Sequence, residues 1–319
     1  MALSRSAQAA ELAARQGGAA LRALRAAERD GATPEASRDQ LLAGIAAEGI
    51  PDYAAFQAGA LGRELRARDD ALQRPPDPRL AGFFAMNSAL SQMERAASDV
   101  LAAFDASRTI PLNMRLIASR LGTAGGAIST MSINYSAMSD DMAGWIRRFV
   151  GKQDSVSARI REAAVGGLFM TSLAKLAQEM LERFEAEEPC TGVDAATERK
   201  TLAAIVASSR EASVEHLRQV ELEAAQLGRN VLDLKRHTTG LGSVRMMCRI
   251  ESASLPRADA ALTAIVEQLD ACQNMIERHL DRIIALNHEV QGASASLRTR
   301  RQRAPPLPGE EDQARTSAS

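Results

Sequence analysis

The sequence predicts an all-α protein built of elongated antiparallel helical hairpins. Together the hairpins should form a single-chain four-helix coiled-coil bundle, with extra N-terminal helices. The first observation behind this is composition: 45% of the 319 residues are hydrophobic, yet there are only one Trp, two Tyr and seven Phe. Such a chain is typical of a helical bundle and not of a β-sandwich or an α/β enzyme. Two further observations are long segments with almost no proline and apolar residues that recur at alternating steps of three and four.

Proline divides the chain, because it removes a backbone donor and clashes with the preceding helical turn. Prolines at 34, 51 and in RPPDPR at 74–79 set off an N-terminal helical region, 1–73. The remaining elements are a first hairpin over 80–188 with its tip near 122–126, a second hairpin over 195–297 with its tip near 255–260, and a disordered tail over 298–319. The segment EEPCTGVD, at 187–194, is the expected turn between the hairpins.

The apolar spacing predicts coiled-coil seams. The steps of three and four run through Ile128, Met131, Tyr135, Met138, Met142, Trp145 and Phe149. The same alternation precedes the glycines, at Phe83, Met86, Leu90, Met93, Ala97, Val100, Phe104, Ser107, Pro111, Met114, Ala118 and Leu121. A third seam includes Leu262, Ile265, Leu269, Cys272, Ile276, His279 and Ile283. This spacing keeps one apolar stripe facing a partner helix.

The stretch GTAGG interrupts the first seam. An antiparallel hairpin is the economical geometry, with Gly122 and Gly125 supplying the positive φ and the close approach that a tight reversal requires. Offsetting the chain by 134 residues places Gly122 on Pro256 and Ile128 on Leu262 without a gap. This moderate internal repeat indicates a duplicated hairpin.

The segment LNMRLIASRLGTAGGAISTMSINY resembles the signalling tip of bacterial methyl-accepting chemotaxis receptors. The resemblance lies in Leu112, Asn113, Ala118, Arg120, Gly122 and Gly125, with Ile128 in place of a phenylalanine, and in the second copy in Ile250, Glu251, Ala253 and Leu262. Ile117, Thr123 and Asn134 replace three glutamates, and no Glu-Glu or Gln-Glu pair lies in the small-residue context expected of a methylation site. The resemblance implies a signal-transduction role in a chemotaxis or sensory pathway, with a histidine kinase and its coupling protein as partners.

The candidate partner-binding residues are those of the two tips. They are Asn113, Arg120, Gly122, Gly125, Ile128, Glu251 and Leu262. The glycines also suit any helical turn. Asn113 and Arg120 are seven residues apart on one helical stripe, which is either a solvated face or a partner surface.

Other functions find little support in the sequence. A net charge of −1 and few aromatic residues argue against a nucleic-acid partner, and no stretch is apolar enough to span a membrane, so a cytoplasmic location is expected. Three separated cysteines and four histidines show no metal-ligand spacing, and there is no nucleotide-binding or hydrolase motif. We therefore expect no enzyme activity, metal or cofactor. Two alternatives stay open: a structural coiled-coil scaffold, of which self-association is expected, and a helical-bundle regulator or phosphatase of a kinase pathway.

Overall fold

The computed structural model describes residues 43–44, 53–150, 155–186, 194–254 and 260–302. The helices are α1 (Tyr53–Ala71), α2 (Pro78–Ser107), α3 (Thr109–Arg120), α4 (Gly126–Val150), α5 (Val156–Ala186), α6 (Ala195–Ser254) and α7 (Ala260–Gln302). A 3-10 turn, Gly122–Gly125, joins α3 to α4. The described residues contain no strand, so the predicted all-α class is confirmed. None of the described helices is both long and apolar enough to cross a membrane.

Three helices begin at residues whose side chains accept hydrogen bonds from the first turn. Asp77 precedes Pro78, and its Oδ1 accepts a 2.9 Å bond from the backbone N–H of Arg79. Ser155 Oγ accepts from the N–H of Ala158, and Asp194 Oδ1 accepts from the N–H of Ala196 at 3.1 Å. These caps satisfy backbone donors that a helix start otherwise leaves unpaired.

Proline explains the break between α2 and α3. Pro111 lies four residues after Ser107, where its ring clashes with the carbonyl that an unbroken helix would hydrogen-bond. The helix ends at Ser107 and a new one begins at Thr109. Ser107 and Pro111 are the two positions of the first seam without an apolar side chain typical of a helix, and α3 is therefore a separate helix of 12 residues.

The predicted seams are the core. In the first arm every seam residue from Phe83 to Ala118 is buried, and Leu121 is half-buried. In α4 and α7 the seam residues are buried, except that Met138, Trp145 and His279 are half-buried. Cys248 and Cys272 are free thiols in this core, while Cys190 lies outside the described residues. Full burial of each such Leu, Ile, Met or Phe contributes about 1.5–3 kcal/mol to stability.

The chain divides into two compact units. Unit one comprises residues 1–87, 161–220 and 293–319, and unit two comprises residues 88–160 and 221–292. Each unit therefore contains parts of both predicted hairpins. The predicted boundaries at 73, 80, 188, 195 and 297 stay predictions, although α7 continues through residues 298–302, which the sequence assigned to the tail.

In unit one, α1 packs on α5 and α2. Lys175 Nζ lies 3.1 Å from Asp69 Oδ1, and Arg68 forms an ion pair with Glu179. Gly166 and Gly167 lie inside α5 and do not interrupt it. An added Cβ at these positions would meet His216 and Phe83, so the glycines permit close helix packing.

In unit two, side chains join helices from both hairpins. On α4, Met131 contacts Cys248 and Met138 packs against Gly240, so α4 and α6 run antiparallel. Cys272 Sγ lies 3.6 Å from the carbonyl oxygen of Ala103, which places α2 beside α7.

Candidate interaction surface at the first hairpin tip

The turn after α3 is held by local geometry. The N–H of Leu121 donates to the carbonyls of Ile117 and Ala118 at 3.1 and 3.2 Å. Gly122 then takes a φ of +58°, a conformation that residues with a Cβ rarely adopt. At Gly125 an added Cβ would lie 2.0 Å from the carbonyl oxygen of Ala118. One glycine supplies the positive φ and the other the close approach.

Helix α3 has two different faces. Ile110, Pro111, Met114, Ile117 and Ala118 are buried. The opposite face carries Leu112, Asn113, Leu116 and Arg120, all exposed, and we call these four residues the tip stripe. Leu112 is 58% and Leu116 is 54% exposed. Asn113 and Arg120 therefore lie on one accessible face, together with two large apolar side chains.

A buried hydrogen bond fixes α3 against α4. The hydroxyl of Ser132 donates to the carbonyl oxygen of Pro111 over 2.6 Å. Ser132 is fully buried, so the bond is shielded from water. Because this bond joins the first turn of α3 to the second turn of α4, it fixes the position of α3, and with it the tip stripe, along the axis of α4.

The other candidate residues have different surroundings. Ile128 and Leu262 are 1% and 0% exposed, so each packs in the core and neither presents a surface to a partner here. Glu251 is partly buried on α6. The second tip, near 255–260, lies outside the described residues apart from Ala260.

Sequence reasoning did not assign the apolar members of the exposed surface as site residues. Leu112 and Leu116 on α3, and Met246, Met247 and Ile250 near the end of α6, are exposed although large and apolar. Leu112 and Leu116 fall between the seam residues Pro111, Met114 and Ala118, and this was the available signal for α3. Apolar residues at off-seam positions of a helix must face solvent or a partner.

The buried titratable groups of unit two are poorly suited to catalysis. Burial raises the pKa of Tyr135, with a further contribution from the nearby Cys272 thiol. Burial also raises the pKa of Cys248 to about 11, and the charge of Glu251 adds to this. Both groups stay protonated at neutral pH, so neither is an activated nucleophile. Among the described residues, no group of three His, Cys, Asp or Glu side chains is placed to hold a metal ion.

Unit one contains a cavity of about 960 Å³ between α5 and α6. Most of its cations are already neutralised: Arg74 pairs with Glu179, Lys175 with Asp69, and Arg79 with Asp77. We interpret this set of pairs as the packing network of α1 and the start of α2.

Comparison with known proteins adds no family. No protein-family model, curated protein or solved structure matches this chain.

Proposed function

We propose that this protein is a non-enzymatic signal-transduction protein that acts through protein contacts at its hairpin tips, in a chemotaxis or sensory pathway. The observation that carries the proposal is the tip stripe. Asn113 and Arg120, which match the receptor pattern, are exposed beside Leu112 and Leu116 on a helix held by a defined turn. Exposed apolar side chains with polar neighbours are the usual composition of a protein-binding surface.

The arrangement we propose for the helices is a single-chain antiparallel four-helix bundle, equivalent to a fused pair of receptor-like hairpins. Support comes from pairwise contacts in unit two, where α4 lies beside α6 and α2 beside α7. The Arg249 guanidinium on α6 donates a hydrogen bond to Asp270 Oδ2 on α7 over 3.0 Å, so these two helices are also neighbours. Both predicted tips fall in the sequence ranges of unit two.

A distance measurement tests this arrangement. Spin labels at the exposed positions Thr130 and Met247, in a chain whose three cysteines are replaced by alanine, should lie close together, because their neighbours Met131 and Cys248 are in contact. A separation approaching the length of α6, about 90 Å for 60 residues at 1.5 Å each, would contradict the proposal.

The partners we propose are a histidine kinase of the chemotaxis type and its coupling protein. Affinity capture with the full chain from native extract, followed by mass spectrometry, should recover one of them. Recovery of the chain alone, as a self-associated species, would instead support the scaffold alternative.

A further inference from the structure

A second cavity lies in unit two, at the break between α2 and α3. Its volume is about 240 Å³, and we call it the break cavity. One water molecule takes up about 30 Å³ of liquid, so the space corresponds to about eight waters. This is room for a tetrahedral oxyanion with a few waters.

Three arginines from different segments line the break cavity. Arg108 lies in the break itself, Arg115 on α3 and Arg147 on α4. Arg108 has only a weak pair with Asp105, at 4.0 Å, with both side chains largely exposed. The side chains of Arg115 and Arg147 are exposed, and neither forms an ion pair or hydrogen bond with a described residue. This distinguishes the break cavity from the larger cavity of unit one, where most cations are already paired.

Four hydroxyl-bearing residues line the break cavity, together with apolar Phe104, Pro111, Leu112 and Ala143. Tyr135 and Ser107 line it and are almost completely buried, and Ser136 and Ser139 line it closer to the surface. The Tyr135 hydroxyl donates to the Cys272 sulfur over 4.0 Å, and the Ser107 hydroxyl donates to the carbonyl oxygen of Phe104 over 2.9 Å. The hydroxyls of Ser136 and Ser139 can donate to anionic oxygens, so they extend the donor surface that the arginines begin.

The charge balance of the lining favours an anion. Asp105 and Asp140 oppose the three arginines, which leaves one net positive charge. A metal cation would need several carboxylate or carbonyl oxygens converging on one point. Arginine guanidinium groups instead match the oxygens of phosphate in a two-pronged geometry.

We propose that the break cavity binds a phosphate-class dianion, either free inorganic phosphate or the phosphoryl group of a phosphomonoester. The anion joins Arg115 on α3 to Arg147 on α4. Leu112 of the tip stripe also lines this cavity, so an occupied site holds α3 and the stripe in one position. The regulatory role of this ligand rests on the proposed function, whereas the binding site itself does not.

Isothermal titration of inorganic phosphate into the full chain, at constant ionic strength set with chloride, tests the site. Saturable binding of one phosphate per chain is expected. The double substitution R115A/R147A should weaken the affinity by about tenfold or more, because two charge-assisted contacts are lost. Arg148→Ala is the matched control, since Arg148 is the exposed neighbour of Arg147 and does not line the cavity. Absence of saturable binding, or equal affinity in the double variant, would overturn the proposal.

Two further measurements keep the test decisive. If R115A/R147A loses helical content by circular dichroism, R115K/R147K is used in its place. This variant should bind phosphate measurably but more weakly than the wild type, because lysine keeps the positive charge and lacks the two-pronged donor geometry of the guanidinium group. An affinity of R115K/R147K equal to that of the wild type would contradict arginine-specific recognition. Methyl phosphate in place of inorganic phosphate separates the two sources, since tighter binding of the ester identifies a phosphomonoester as the natural ligand.

Hydrogen exchange over residues 109–120 provides the regulatory readout. Phosphate should slow exchange there in the wild type and leave it unchanged in R115A/R147A. Unchanged amide hydrogen exchange in the phosphate-bound wild type would contradict the proposal that the bound anion holds α3 in one position. Because no partner protein is present in these experiments, their failure is distinguishable from a failure of the proposed signalling function.

Discussion

Ser132 and Pro111 are 21 residues apart, and the hydroxyl of one donates a 2.6 Å hydrogen bond to the carbonyl of the other inside the first hairpin. Both are buried, so the bond connects α3 to α4 where water cannot replace it. The same proline ends α2 by excluding a continuous helix. Pro111 thus separates α3 from α2, and its carbonyl attaches α3 to α4.

Removing this hydroxyl should destabilise the protein. Ser132→Ala removes this donor from the Pro111 carbonyl, which keeps its helical partner in α3, at a cost of about 0.5–1.5 kcal/mol in the free energy of unfolding. Urea denaturation followed by circular dichroism measures it. Ser119→Ala is the control, because the Ser119 hydroxyl bonds a carbonyl of its own helix at an exposed position and should change stability by less than about 0.5 kcal/mol. Equal effects of the two changes would contradict the buried connection.

Adjacent glycines at the turn should respond oppositely to alanine. Gly125→Ala places a methyl group 2.0 Å from the Ala118 carbonyl oxygen, so the turn must shift, and we expect a loss of about 1–3 kcal/mol. Gly126→Ala meets no atom within 4 Å at a helical φ of −59°, and alanine there should be neutral or stabilise by up to about 1 kcal/mol. Thermal unfolding of both variants is the measurement. A neutral Gly125→Ala would mean that the turn differs from this structure.

Arg120→Ala tests the tip stripe. The side chain is exposed, so unfolding should change by no more than about 0.5 kcal/mol while affinity for a captured partner falls. Surface plasmon resonance against that partner measures the affinity, and Arg148→Ala serves as a control on the same hairpin away from the stripe. Unchanged affinity in Arg120→Ala would assign Arg120 to a solvated face.

The cap of α6 should make stability depend on pH. Hydrogen bonds from the Thr197 side chain, and then from the backbone N–H groups of Thr197 and Ala196, lower the pKa of Asp194. A lowered folded pKa stabilises the fold above the unfolded value of about 3.9 and loses that contribution as the pH falls through the folded pKa. Asp194→Ala should therefore lower Tm at pH 7 and have a smaller effect near pH 3. A constant difference across this range would rule out the ionised cap.

Adaptation by methylation should be absent. Receptors of the resembled type are methylated on glutamates of the helical arms, and this chain has no Glu-Glu or Gln-Glu pair in the expected small-residue context. Intact-mass measurement and peptide mapping of the protein from its native cells should find no carboxymethylated glutamate within residues 140–240. Detection of such a residue would reverse the prediction.

The sequence alone determined the helical class and the inward-facing residues. Steps of three and four place Met86, Leu90 and Met93 on one face, and burial of apolar surface makes that face the core whatever the neighbours are. The roles of Gly122 and Gly125 could also be predicted from the sequence, because a residue without Cβ is needed where a turn takes a positive φ or where two backbone segments approach each other closely.

Only the tertiary structure decided which polar and off-seam residues face one another. Periodicity predicts the face of a residue, but not which distant residue lies opposite, because that depends on the register between helices. Ser132 opposite Pro111, and Arg115 and Arg147 lining one cavity, are results of register. Ile128 and Leu262 lie in the core as their seam positions predicted, whereas the exposure of Leu112 and Leu116 together on one face was visible only in the structure.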